Sequence, residues 1–416
     1  MRKLAARDLN GWLERDQALL EARQERKDLR ALRNRVVLAF LLFNVLAGIL
    51  FVGGALLVSF MRSFGTTPSQ LGLILGAGWG ASVLGALSGG ALADRIGPRR
   101  TVLLTTAVVA GALLGKALSR HWLQAGICHL LGMGAQAALF PSAVVLLKGT
   151  VEEEVGSSLG FLNTAFSVIA IPGAVLTGWV VGRHGWSVLF LGKFATYLVV
   201  LPLLVLLLPE IIGRAGKQEE ARGVWLEALA HPPLLLVCAS VFVVTVGGYV
   251  HAYYPYFVQE RFAADVSGLA LFDSLYNAVW MLSNWPAGVL ADRVGRGRVA
   301  LMGYGVTGVA WFLFPFAPSL LVTYLLYSLY CLGNSLGFYA SVFALDVAPE
   351  RFKGRAVGLF DAAMYSGSAL GDGAGGLLWQ HWGARFSFVL AGGAYLFGTL
   401  LLALGGRETH REDGRS

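Results

Sequence analysis

Two sets of polar residues in this chain are spaced as if on helices. Asp361, Tyr365, Ser368 and Asp372 are separated by 4, 3 and 4 positions, and Asp273, Asn277, Trp280 and Asn284 repeat that pattern. At about 100° per residue, each set shares one helical face. Both sets sit in otherwise apolar stretches, where a carboxyl group can keep a proton that it would lose in water. Asp372 and Asp273 are therefore candidates for reversible protonation. Asp361 lies on the Asp372 face, roughly 16 Å away at about 1.5 Å rise per residue. Asp273 and Asp361 fall near the ends of their runs, where water reaches. His251 and His129 are further proton carriers. Asn44, Gln136, Asn163, Tyr254, Tyr330 and Asn334 join Asn277, Trp280, Tyr365 and Ser368 as candidates for a cavity wall. Twelve of the 13 tyrosines follow residue 248. A wall of Tyr, Trp and Asn suits an organic solute with apolar and hydrogen-bonding parts.

Long apolar elements must hold these groups. Of 416 residues, 56% are hydrophobic and 14% charged, against about 25% charged in an ordinary soluble domain. Twelve apolar runs lie near 36–60, 71–93, 101–119, 122–147, 158–182, 187–208, 233–258, 268–291, 299–316, 319–345, 356–378 and 384–405, here called spans 1 to 12. A hydrocarbon layer about 30 Å thick takes about 20 helical residues to cross. Lipid offers exposed backbone groups no partner, which makes helices the default, and the runs lack the alternation of a barrel strand. The sequence predicts an all-α membrane protein with the lipid bilayer as its surroundings. Cys128, Cys238 and Cys331 all fall inside spans with no disulfide or metal spacing, so no metal or cofactor is expected.

Charge sets the orientation. Ten of the 33 Lys and Arg residues lie in residues 1–35, and sixteen more lie in loops between even- and odd-numbered spans and in the tail. The opposite side holds only Arg62, Arg120, Arg183, Arg261 and Arg385. That asymmetry predicts a multi-pass protein of the plasma or inner membrane with both termini in the cytoplasm. Lys116 and Lys193, near the outer ends of spans 3 and 6, are expected to snorkel to the interface. The net charge of +8 is thus topological, and with basic residues dispersed among loops no nucleic-acid partner is expected. The charged opening segment speaks against a cleavable signal peptide. Its weak stripe of Leu9, Leu13 and Leu20 lies against anionic headgroups or is simply solvated.

The chain also repeats itself. Gly90-Ala91-Leu92-Ala93-Asp94-Arg95-Ile96-Gly97-Pro98-Arg99-Arg100 returns 198 residues later as Gly288 to Arg298, with Asp292, Arg293 and Gly295 in register. The same offset pairs Phe140 with Phe338, Gly156 with Gly354 and Gly185 with Gly383. This divides the chain into a charged segment 1–35, six-helix halves at 36–208 and 233–405, a linker 209–232 and a tail 406–416. Trp225, Leu226 and Leu229 place a short amphipathic helix in the linker.

Twelve spans, two parallel six-span repeats and the motif G-x-x-x-D-R-x-G-x-R-R after span 2 resemble the major facilitator superfamily. The first copy of the motif matches nearly completely; the second has Gly297 where the first has Arg99. The resemblance implies alternating access, in which two halves rock about a central cavity lined by spans 1, 2, 4, 5, 7, 8, 10 and 11, with 3, 6, 9 and 12 outside. It also implies a gate. Asp94 would face the start of span 11 at Gly354 and Asp292 the start of span 5 at Gly156, with Arg95, Arg100, Arg293 and Arg298 pairing with loop acids or carbonyls. The resemblance is incomplete where drug exporters carry an arginine on span 4, since Cys128 and His129 stand there. Their span 5 signature survives only as Ile171-Pro172-Gly173 and Gly178.

These readings predict a proton-coupled secondary transporter, monomeric, for a small neutral or cationic organic solute, with export preferred. One rival is proton symport of a sugar or polyol; another, of a different class, is a receptor or scaffold of the same shape. No P-loop, metal cluster or nucleophile motif points to an enzyme.

Overall fold

The computed structural model describes residues 35–148, 155–210, 231–348 and 353–413. The stripe at Leu9, Leu13 and Leu20 and the linker helix at Trp225, Leu226 and Leu229 lie outside them. The described residues are helical, with no strand. Eight helices are long and apolar enough to cross a membrane, nine when the pair Arg35–Ile49 and Gly54–Arg62, bent by 47°, is taken as one span. Two of these helices hold two spans each. Val155–Leu207 leaves helical geometry at Gly185 (φ 80°), and Lys353–Asp413 does so at Gly383 (φ 76°). Val266–Val294, the carrier of the Asp273 stripe, has 29 residues, long enough to cross, so the arrangement is consistent with twelve crossings.

Local chemistry explains the boundaries. Span 2 (Pro68–Ile96) begins at a capping box between Thr67 and Gln70 with Pro68 in the first turn. Its repeat partner, span 8, begins at Asp265, whose side chain accepts from Gly268 N. Both then end at a glycine of positive φ, Gly97 at 90° and Gly295 at 95°, each followed at once by the next helix. Different caps at equivalent positions and like turns at equivalent glycines express the 198-residue repeat in the backbone.

Span 7 is broken where span 1 is broken. It runs as Pro232–Gly247 and Val250–Phe262, and its break coincides with the Leu50–Gly53 break under the same offset. The remaining helices are span 3 (Pro98–Leu118), span 4 (Trp122–Lys148), span 9 (Arg296–Leu313) and span 10 (Leu320–Gly337, continued by Tyr339–Val347). Span 12 continues helically to Asp413, past the expected end at 405. The outer surface is apolar, as at Leu206, Leu321 and Leu325, which suits lipid contact.

Candidate transport site

The break in span 1 leaves two helix ends, and each meets the opposite charge. Arg35–Ile49 presents the negative end of its dipole, and Lys193 of span 6 donates from Nζ to the Leu50 carbonyl at 2.6 Å. Gly54–Arg62 presents free N–H groups, and Asp273 of span 8 accepts from Ala55 N at 3.1 Å and Leu56 N at 3.2 Å. Gly53 permits this approach, because a Cβ there would lie 2.4 Å from the Asp273 carboxyl carbon. Asp273 is only 3% exposed, so the expected access to water is corrected. The distant half of the chain covers it, and spacing along span 8 does not show that.

Asp372 faces span 2. Trp79 donates from Nε1 to Oδ2 at 2.8 Å, and its ring lies 5.9 Å from that of Tyr365. Sequence reasoning missed Trp79; the signal was a bulky donor set between Gly78 and Gly80. Tyr253 donates to the Asp372 carbonyl at 3.0 Å. Gly72 and Gly76 bring span 2 directly onto the Asp372 and Ala369 carbonyls. Farther along, Tyr256 donates to Thr66 O at 2.8 Å and Arg62 to Gln259 at 2.8 Å.

These contacts share a location. Among the described residues, the hydrogen bonds, ion pairs and ring contacts that join 35–210 to 231–413 lie at mid-bundle or at the end away from Asp94 and Asp292. Among the described residues, the halves are clasped at mid-bundle and at that far end.

A cavity of about 320 Å³ lies within the N-terminal half, walled by spans 1, 3, 4, 5 and 6. Lys116, Lys193, His129, Gln136 and Tyr197 are its polar lining; Phe51, Phe166 and Phe190 are its aromatic faces. Neither lysine snorkels, against expectation. Lys193 is turned inward by the carbonyl that the span 1 break frees, and Lys116 sits 5.7 Å from the Phe190 ring centroid. His129 is 7% exposed, buried in the same wall.

The family model described as Major Facilitator Superfamily matches residues 36–344 and 249–416. The chain belongs to the major facilitator superfamily. A cis,cis-muconate transport protein of Acinetobacter baylyi is 22% identical over 373 residues, 83% of this chain and 87% of that protein. A gallate transporter of Pseudomonas putida is 29% identical over 160 residues, and the chain spans only 36% of its length. Among solved structures, a nucleoside transporter superposes with a TM-score of 0.74 at 14% identity, covering 90% of this chain and 99% of that one. The chain is a multi-pass membrane protein.

This member of the superfamily departs from what the resemblance implied in one respect. Spans 3 and 6, expected outside, supply both lysines of the cavity wall. At the motif end, Asp94 and Asp292 are exposed and make no hydrogen bond or ion pair among the described residues. Arg100 lies 3.7 Å from Glu210, and Arg99 binds both Glu210 and the Val205 carbonyl. Arg95, Arg293 and Arg298 form no such pair among the described residues. Gly297, which replaces Arg99 in the second copy, sits against Phe343, where a Cβ would lie 2.9 Å from its ring, and Arg296 reaches Asp346 at 2.7 Å.

The remaining candidates scatter. Gln136 lines the cavity. Asn44 is turned back on its own helix, donating to Phe40 O, and Asn163 is exposed. Asn277 donates to the Asp273 carbonyl and Ser368 to Met364 O, each within its own helix. Tyr254 and Tyr330 are buried in an aromatic cluster. His251 Nε2 lies 3.3 Å from the Tyr327 hydroxyl in the same cluster. Asn334 lies near Tyr276, and Trp280 stacks on that tyrosine. Asp361 is half-buried near Tyr365 and makes no hydrogen bond among the described residues.

Proposed function

We propose that the chain moves a small organic solute by alternating access and couples that movement to protons at Asp273 and Asp372. The observation that carries this reading is the Asp273 carboxylate bound to Ala55 and Leu56 N–H across the two halves. An ionised carboxylate at a helix N-terminus stabilises the clasp through charge-assisted hydrogen bonds and the helix dipole, by about 1–3 kcal/mol. A proton competes for the same oxygens. Its binding weakens the clasp and favours opening of the far end; its loss restores closure. That range is enough to shift a two-state equilibrium several-fold to about a hundredfold. Asp372, held by Trp79 across the same seam, is the second carrier, and Asp361 serves the motif-end path.

The arginine asymmetry supports cytoplasmic termini in the cell membrane, so the clasped far end is the outer side. Each half is complete within one chain, which supports a working monomer. We favour export, with proton symport of a sugar or polyol as the rival direction. The expectation of a neutral or cationic solute goes with acids in the spans and no cavity arginine, and the lysines in the cavity wall weigh against it.

The test uses protein reconstituted in vesicles loaded with a pH-sensitive dye, challenged with aromatic carboxylates, nucleosides and pentoses. A solute that drives proton movement supports the reading, and its direction separates antiport from symport. In Asp273→Asn and Asp372→Asn, proton movement should disappear while downhill solute exchange persists. Unaltered proton movement in both variants refutes the assignment, and solute binding without flux would favour the receptor reading.

A further inference from the structure

We propose that the Lys116–Lys193 cavity is a carboxylate subsite, so that the transported solute is a small organic acid with a flat apolar body. The inference rests on the transport reading above and names the substrate class of that machinery.

Three observations carry it. First, two ammonium groups line one cavity with no Asp or Glu among its lining residues. Buried charge requires a partner, and Asp273, on the other side of Gly53, is already spent on Ala55 and Leu56. Lys193 satisfies one donor on Leu50 and retains two; Lys116 makes no hydrogen bond among the described residues and lies 5.7 Å from the Phe190 ring centroid, with the Cys128 thiol beside it. An anion held in this cavity would supply a counter-charge to both. Second, the rest of the wall is flat and apolar, with Phe51, Phe166 and Phe190 around a volume of about 320 Å³. That is the small end of ligand cavities, which run from about 300 to 1,000 Å³. Gln136 and Tyr197 add donors for a ring substituent. Third, the cavity abuts the clasp. Gly53 and Gly54 line it, and they lead directly into the turn capped by Asp273. An anion drawing Lys193 away from Leu50 would disturb the same break that the proton disturbs from the other side. Solute and proton thereby act on one element, the condition for coupling them.

The experiment measures benzoate and benzamide binding to purified full-length protein at neutral pH by calorimetry and thermal shift. The two probes share shape and differ in charge. Benzoate should bind and benzamide should bind at least tenfold more weakly. Lys193→Met and Lys116→Met should each weaken benzoate at least tenfold, while Lys193→Arg retains most of it. Monodisperse chromatography and an unchanged melting profile establish that each variant is folded. Equal affinity for benzoate and benzamide, no benzoate binding, or unchanged benzoate affinity in both folded Met variants would overturn the subsite. Vesicle flux separates this result from the transport reading. Lysine-dependent binding without flux keeps the subsite and defeats transport; lysine-independent flux of an uncharged solute does the reverse.

Discussion

The cavity of the N-terminal half and the aromatic cluster of the C-terminal half occupy equivalent positions. Across the 198-residue offset, Leu113 becomes Trp311, Lys116 becomes Phe314, His129 becomes Tyr327, Gly132 becomes Tyr330 and Lys193 becomes Ala391. The frames match down to the breaks in spans 1 and 7 and the glycine turns at Gly97 and Gly295. The fillings do not. In the C-terminal half Trp311 lies 4.5 Å from Tyr330 and Phe314 lies 4.9 Å from Phe388, ring centroid to centroid, and Trp311, Tyr254, Tyr327 and Phe388 are fully buried. One half spends its interior on packing and the other keeps space and charge in it. On the alternating access proposed above, the packed half would hold the acids in place and the other would offer room for a solute.

The largest test of that contrast removes the filling. Trp311→Ala should destabilise the C-terminal half by about 3–5 kcal/mol, the usual cost of emptying a buried aromatic site. Denaturant unfolding in detergent reads it. A loss below about 1 kcal/mol would mean that the cluster is loosely packed and the two halves are less different than their contents indicate.

The reciprocal change sharpens the comparison with less effect on stability. Gly132→Tyr places the C-terminal residue in the N-terminal cavity, where a Cβ would meet only Ala112 Cβ at an ordinary 3.6 Å. The protein should stay folded, with overpacking costing about 1–3 kcal/mol at most, and benzoate binding should fall below detection. A folded Gly132→Tyr protein with unchanged solute affinity would place the solute elsewhere.

How much of this the sequence disclosed follows from the same contrast. Span limits, the repeat and the motif are local patterns of hydropathy and charge, and the helices begin and end within a few residues of the runs that predicted them, apart from the extension of span 12 to Asp413. Asp273 and Asp372 were legible as acids in apolar surroundings. Their partners were not, because Ala55 lies 218 residues from Asp273 and Trp79 lies 293 from Asp372. The lysines were misread for a related reason. Their place near span ends is what an interfacial lysine shows too, and only the break in span 1 supplies the carbonyl that turns Lys193 inward. Tyr254 and Tyr330 were assigned to a cavity wall because residue type suits both wall and core, and neighbours from spans 8 and 9 decide which.

The smallest expected effect concerns the one feature that the halves share almost unchanged. Asp94 and Asp292 are both exposed, so Asp94→Ala and Asp292→Ala should each alter stability of this state by no more than about 0.5 kcal/mol. On the gate that the resemblance implies, each would face a helix N-terminus when the motif end closes and contribute about 0.3–1 kcal/mol. Removing either contact should therefore raise the population open at the motif end by about twofold to fivefold. Cysteines placed at Phe140 and Phe338, equivalent exposed positions near that end, would report it through their labelling rates with a thiol reagent. Rates that rise to the same degree in both variants make the two copies equal halves of one gate. A rise in only one variant would show that the symmetry of the motif outlasted the symmetry of its function, and unchanged rates in both would show that neither aspartate holds a gate at all.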